Sequence, residues 1–372
     1  MKALFLITGL YPGGAEKIVL ETVRSLLASG HAAAVVSLQK EPKGQERTVV
    51  NALDQLGVDP YFLDLSVLRP WKLLTLLRII RKESPDVVHS HLMHANLTAR
   101  LVRLFQRFPL VNTIHIAERR KSMKVRILFL LDRLTWHLCD LYTAVSKAAA
   151  EFHEQQCGLP QGTVKVVYNG SDPVSPLPAD RIAAIRKEWG LDGTARIIGS
   201  VGRLDHQKGY DIFLSGLDAL KPLIPPREQW GIVLIGDGPE RNKLRALAAE
   251  ISEKMPELRI VLPGYRPDAA SLLPMLDLFV MPSRYEGFGL TLTETMAQGI
   301  PSLCSKADSL PELCAFAPEN TMTADFTSSN LTEIYRKALQ MRKQPGKIFR
   351  TTREMTGEYI QCYQRILDRG RQ

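Results

Sequence analysis

Short apolar runs alternate with helix-length amphipathic segments along the whole chain, a pattern that predicts parallel strands joined by crossover helices. In the first half the expected strands are Ala3–Thr8, His31–Leu38, Asp86–His91, Leu110–His115, Leu141–Val145 and Val164–Tyr168. A helix is expected over Ala15–Ser29, stopping at Gly30. Pro173, Pro176 and Pro178 then crowd into Ser171–Asp180, a stretch without periodicity and with the composition of a linker. The pattern restarts at Arg196–Val201 and continues through Trp230–Ile235, Leu258–Leu262, Leu278–Met281 and Pro301–Cys304. Two doubly wound α/β domains follow, residues 1–172 and 178–350, facing each other across a cleft. In such sheets ligands sit beyond the carboxyl ends of the strands. The segment Thr351–Asp368 reads as an amphipathic helix.

At 372 residues, 45% of them hydrophobic, the chain suits two ordinary globular domains. Cys139, Cys157, Cys304, Cys314 and Cys362 form no CxxC pair, which argues against a zinc site or a disulfide framework and fits a reducing compartment. The opening MKALFLITGLYPGG has too short an apolar run, and no small-residue cleavage pattern, for a signal peptide. A buried first strand is expected there. No run reaches the roughly 18 apolar residues needed to span a bilayer.

Charge is uneven. Residues 1–150 hold 21 Lys and Arg against 12 Asp and Glu, so the whole formal excess of +9 lies there. Arg100, Arg103, Arg107, Arg119, Arg120, Lys121, Lys124, Arg126 and Arg133 face only Glu118 and Asp132 within Arg100–Arg133. Such a half calls for an anionic partner. Nucleic acid is not expected, because no zinc-finger, RRM or helix-turn-helix signature accompanies the charge.

Four loops fall where ligand contacts belong. Thr8–Lys17, TGLYPGGAEK, follows the first strand and opens a helix, but it is neither GxGxxG nor a Walker P-loop. Ser200–Asp211, SVGRLDHQKGYD, places Arg203 and Lys208 just past a strand, where two cations could neutralise a diphosphate. Leu234–Glu240 contains a tight GDGP turn. Ser283–Pro301, SRYEGFGLTLTETMAQGIP, sets Glu286 in a glycine turn and Glu294 about one turn into a helix starting near Leu290. Glycines there let backbone N–H groups approach a ligand, and the helix start turns its positive end to the same place.

In combination these segments resemble the family 4 glycosyltransferases, retaining enzymes of the GT-B fold. The likeness runs through GGAE (Gly13–Glu16), DVVHSH (Asp86–His91), GRLDHQKG (Gly202–Gly209), GDGP (Gly236–Pro239) and EGFGLTLTE (Glu286–Glu294). It implies that Arg203 and Lys208 hold the donor diphosphate as it leaves, that Glu294 binds the ribose, and that Glu286 contacts the transferred sugar. Backbone near Phe288, Gly289 and Leu290 would help, Gly236 would approach the nucleotide, and Gly13 and Gly14 would approach the donor phosphate from the other domain. His115 matches the family's active-site histidine. His89 and His91 are taken to face opposite sides of their strand, so that no HxH metal pair is expected. Neither a metal nor a cofactor is expected.

The resemblance further implies a nucleotide-diphosphate sugar donor, UDP- or GDP-linked, and a glycan or polyprenyl-linked glycan acceptor in bacterial-type surface polysaccharide synthesis. Rival readings are a nucleotide-sugar 2-epimerase and a non-catalytic, membrane-docking nucleotide-sugar-binding subunit. One departure stands out: Ser305–Leu313, SKADSLPEL, keeps Glu312 but lacks the glycines many relatives carry before it. In relatives the C-terminal helix returns to the first domain, which is expected here of residues 351–372. Two basic amphipathic stretches, Leu68–Lys82 and Arg119–His137, suggest a cytoplasmic enzyme held on an anionic membrane surface.

Overall fold

A computed structural model describes residues 1–66, 68–115 and 122–369, apart from the side chain of Gln45. The chain divides into two compact units, Met1–Gly170 with Arg350–Gln372, and Ser171–Phe349.

The first unit is built on seven strands, β1 (Lys2–Ile7), β2 (Ala32–Ser37), β3 (Tyr61–Phe62), β4 (Val87–His91), β5 (Leu110–Ile114), β6 (Leu141–Ala144) and β7 (Lys165–Val166). They lie in the order β3-β2-β1-β4-β5-β6-β7, every pair parallel. From Ala3 to Ile7 nothing in β1 reaches solvent, as an unbroken apolar run in the middle of a two-faced sheet requires. The C-terminal helix Thr352–Arg369 belongs to this unit. It buries Met355, Tyr359, Cys362 and Tyr363 at i, i+4, i+7 and i+8, the stripe that its sequence dictates, and packs on helix Gly14–Ala28. Its entry is tight: a Cβ on Gly170 would lie 2.2 Å from the Thr351 carbonyl oxygen, and the Gly170 N–H donates to Met355 Sδ at 3.2 Å.

The second unit carries β8 (Arg196–Val201), β9 (Trp230–Ile235), β10 (Leu258–Gly264), β11 (Leu278–Met281), β12 (Ser302–Ser305) and β13 (Thr321–Ala324). Their order is β10-β9-β8-β11-β12-β13, again all parallel. Chain direction across the sheet reverses between β8 and β11, so the loops leaving those strands flank one crevice. Ile198, Phe213, Ile232, Leu234, Leu278, Val280 and Leu303 fill the core behind them.

Two strands were missed from the sequence and one expected strand is shorter. The two-residue β3 and the mixed TMTA of β13 carry too little apolar signal to be recognised as strands, yet both pair at or near sheet edges. The expected strand Val164–Tyr168 shrinks to Lys165–Val166.

Candidate active site

In the second unit the loop after β8 is shaped by backbone packing. Gly236 adopts φ +147°, and a Cβ there would fall 1.9 Å from the Gly202 carbonyl oxygen. At Gly238 it would fall 2.4 Å from the Leu204 carbonyl. No side chain fits at either place. The two loops therefore stack main chain on main chain, with the Leu204 N–H donating to Asp237 O and the Glu240 N–H to Leu204 O, both at 2.9 Å. Gly209, at φ +66°, comes similarly close to Pro282 after β11, where a Cβ would fall 2.2 Å from the Pro282 carbonyl oxygen. Loops leaving three strands are thus locked together by glycine contacts.

This frame brings Lys208 to Glu286. The ammonium Nζ lies 2.5 Å from Glu286 Oε2, with both side chains largely buried, and Ser283 Oγ donates to the same oxygen at 3.3 Å. Burial, the largest single effect, would push the Lys208 amine down, but the facing Glu286 carboxylate with Tyr210 and Asp205 together override it and the pKa ends above the usual lysine value. The amine is a fixed cation. Arg203 is placed differently: its side chain is 68% exposed, with Nε 3.6 Å from the Asp205 carboxylate. Motif reading paired Arg203 with Lys208, whereas the partner of Lys208 in this structure is Glu286.

The EGFG turn runs into helix Leu290–Ala297, whose N-cap Gly289 is left-handed at φ +95°. Glu294, one turn in, is 8% exposed. The Phe288 ring is buried edge-on to Phe349 with centroids 5.8 Å apart, so Phe288 can offer a ligand its main chain but not its ring. Two residues not singled out from the sequence hold the turn to the β8 loop. Arg284 donates to both oxygens of Asp211 at 2.8 Å and to the His206 carbonyl at 2.9 Å. The Arg284 bond, with a smaller opposing effect of burial, holds the Asp211 carboxyl down at about 2. Both lie within the motif segments, Arg284 in the loop after β11 that leads to Glu286 and Asp211 in the first turn of helix Tyr210–Ser215, although nothing local pairs them.

In the first unit Gly13 is extended and leads into helix Gly14–Ala28 directly after β1. The histidines of β4 require a correction. Residues two apart on a strand share a face, and the rings of His89 and His91 lie with centroids 4.1 Å apart rather than on opposite sides. His91 Nδ1 is 2.8 Å from His115 Nε2, while His89 bridges Thr113 Oγ1 and the Tyr363 hydroxyl of the C-terminal helix at 2.6 Å each. Burial holds all three rings neutral, lowering His115 to about 3 and His89 and His91 well below the usual value. Next to them Leu92 sits at φ +76°, a backbone conformation rare for leucine.

Another buried group contains Asp132, His153 and Cys157, residue types that can bind metal. Here Asp132 Oδ2 accepts from His153 Nε2 at 2.7 Å and from the Tyr142 hydroxyl at 2.8 Å, while Oδ1 takes the Arg100 guanidinium at 2.7 Å. These are hydrogen-bond spacings around a neutralised carboxylate, and the group reads as a core tie. It also revises the charge picture. Arg100 is fully buried and Arg103 is paired with Asp140, so neither is a free surface cation.

The sequence profile of Glycosyltransferase Family 4 matches residues 12–174, and that of Glycosyl transferases group 1 matches residues 181–355. The chain belongs to glycosyltransferase family 4. Among relatives of this family, the lipopolysaccharide core biosynthesis mannosyltransferase LpsB of Rhizobium meliloti is 35% identical over 162 residues, 42% of this chain and 44% of that one. The match thus spans less than half of that relative. The D-inositol 3-phosphate glycosyltransferase of Jonesia denitrificans is 26% identical over 363 residues, 88% of this chain and 83% of that one. Anabaena HepE, solved in complex with UDP-glucose, superposes with a TM-score of 0.76 at 22% identity, covering 99% of this glycosyltransferase and 98% of that chain. The fold class is GT-B.

Proposed function

We propose that this glycosyltransferase is a retaining enzyme that moves a hexose or N-acetylhexosamine from a UDP- or GDP-sugar to a glycan or polyprenyl-linked glycan in surface polysaccharide synthesis. One observation carries the reading: the buried Lys208–Glu286 pair beyond β8 and β11, beside the start of helix Leu290–Ala297. Breaking a sugar–phosphate bond gathers negative charge on the departing diphosphate. A cation already fixed in place stabilises that charge without reorganising. Before donor arrives the cation is occupied by Glu286. A diphosphate that takes over Lys208 frees the Glu286 carboxylate for the hydroxyls of the transferred sugar, so binding and sugar recognition are coupled through one ion pair. Arg203, exposed and weakly held, would swing onto the diphosphate, and Glu294 would accept the ribose hydroxyls. Main-chain N–H groups at Gly289 and Leu290 would meet the donor, with Gly13, Gly14 and His115 of the first unit serving its phosphate and sugar. In this scheme the leaving phosphate takes the acceptor proton on the face it departs from, which gives retention without a glycosidase-type carboxylate pair.

Similar proteins support the donor and pathway class: HepE is solved with UDP-glucose, and one Escherichia coli relative is a UDP-Gal:α-D-GlcNAc-diphosphoundecaprenol α-1,3-galactosyltransferase. Among the described residues no helix is long and apolar enough to cross a membrane. Attachment to an anionic membrane face is supported by helix Met123–Thr135, whose Met123, Ile127, Leu130, Leu131 and Leu134 form an exposed apolar stripe with Lys124, Arg126 and Arg133 exposed on the same helix. Leu76, Leu77, Ile79 and Ile80 of the other basic stretch instead pack inward. Arg119, Arg120 and Lys121 lie outside the described residues.

The donor is tested with a panel of UDP- and GDP-sugars, reading thermal stabilisation of the protein. One nucleotide class is expected to raise Tm, with its sugar conjugate raising it further. No shift with any member of the panel would overturn the reading.

A further inference from the structure

Glu286 is held from behind by the loop that follows β12. Its N–H donates to Asp308 Oδ2 at 2.8 Å. The next residue, Ser309, donates its hydroxyl to the Phe288 carbonyl at 2.9 Å and reaches the Glu286 carbonyl at 3.3 Å. Asp308 sits at φ +42°, one of few described non-glycine residues with positive φ. Its stretch, Ser305–Leu313, contains no glycine. Glycine would occupy that backbone region without strain. A side chain stands there instead, and its carboxylate accepts from the Glu286 amide.

We infer that Asp308 is a positioning residue for sugar transfer, its left-handed conformation directing the carboxylate onto the Glu286 N–H and so setting the Glu286 side chain against Lys208. The inference rests on the proposed role of Glu286 at the transferred sugar. Both ends of the Glu286 peptide are then fixed, the N–H by Asp308 and the carbonyl by Ser309, while Ser283 and Lys208 fix the carboxylate. Asp308 itself touches no reacting atom. Its effect is geometric, and displacement of a catalytic group by about 1 Å can cost on the order of 10²-fold in rate.

Glycine and asparagine separate positioning from folding. Asp308→Gly relieves the backbone strain and removes the acceptor, so its effects on stability and on turnover have opposite signs. Asp308→Asn keeps both the tolerated backbone and an acceptor oxygen. The experiment measures Tm, the Kd for UDP (or GDP, whichever stabilises wild type) and release of that nucleotide from the matching sugar donor. Asp308→Gly is expected to melt no lower than wild type and to bind the nucleotide normally, yet lose about 10- to 10²-fold in kcat, and Asp308→Asn to recover most of that loss. Wild-type turnover in Asp308→Gly, or a loss of kcat matched by a loss of Tm, would overturn the inference. If wild type releases nucleotide from no donor, the function reading fails and crystal structures of wild type and Asp308→Gly decide the positioning claim. Glu286 moved off Lys208 only in the variant supports it, and an unchanged contact refutes it.

Discussion

At the scale of single residues, burial and neighbouring groups decide the protonation state of the two clusters proposed for the site. Lys208 stays charged because Glu286, together with Tyr210 and Asp205, outweighs its desolvation. The three histidines stay neutral because nothing outweighs theirs: the causes acting on His89 and His91 are burial first and then neighbouring histidines, and burial alone acts on His115. Since the folded values lie below the ordinary value of about 6.5, the unfolded chain binds more protons between pH 6.5 and the folded values. The contribution of His115 is therefore full above about pH 6.5 and is lost as pH falls toward about 3, by ~1.4 kcal/mol per pH unit, with His89 and His91 acting in the same direction. Urea midpoints of the wild type and His115→Asn between pH 7.5 and 5.5 are expected to converge as pH falls, because the variant takes up one proton fewer on unfolding. Parallel lines would show that His115 is not buried neutral.

At the scale of elements, glycines and strand ends explain why the second unit presents its loops as it does. Gly236→Ala would drive a methyl group into the Gly202 carbonyl and force a positive φ on alanine, and is expected to cost about 3 kcal/mol or more in chemical unfolding. A near-neutral effect would mean that the stacked loops yield easily. The central strands and most site-bearing loops were legible in the sequence because buried parallel strands are continuous apolar runs and the loops after them carry glycines and charges. β3 and β13 were not, since their short mixed segments gain their pairing from neighbours. The histidine faces were misassigned by parity along β4, although period 2 puts His89 and His91 together. The pairing of Lys208 with Glu286 joins residues 78 positions apart and has no local signature, nor does the bond from Glu286 to Asp308; Arg284 and Asp211 lie inside the motif segments, but nothing local pairs them. Arg100 looked like a surface cation because its partner Asp132 lies one helix later.

At the scale of the whole molecule, charge and exposed apolar surface both concentrate in the first unit. If helix Met123–Thr135 lies in a lipid interface, Ile127→Gln, Leu130→Gln and Leu134→Gln combined should abolish sedimentation with anionic vesicles and leave nucleotide affinity unchanged. High salt should release the wild type, because at 1 M the reach of charge shrinks to about 3 Å. Equal binding to neutral and anionic vesicles would contradict the electrostatic part of that account. The central claim is that a nucleotide-sugar donor is activated at Lys208 and Glu286. Its most direct measurement is the rate of nucleotide release from the stabilising UDP- or GDP-sugar, in the presence of a lipid-linked glycan acceptor, by wild type and by Lys208→Ala. The account predicts turnover by wild type and a loss of about 10²- to 10³-fold in kcat in the variant, with the fold intact. Equal turnover by the two proteins would contradict it.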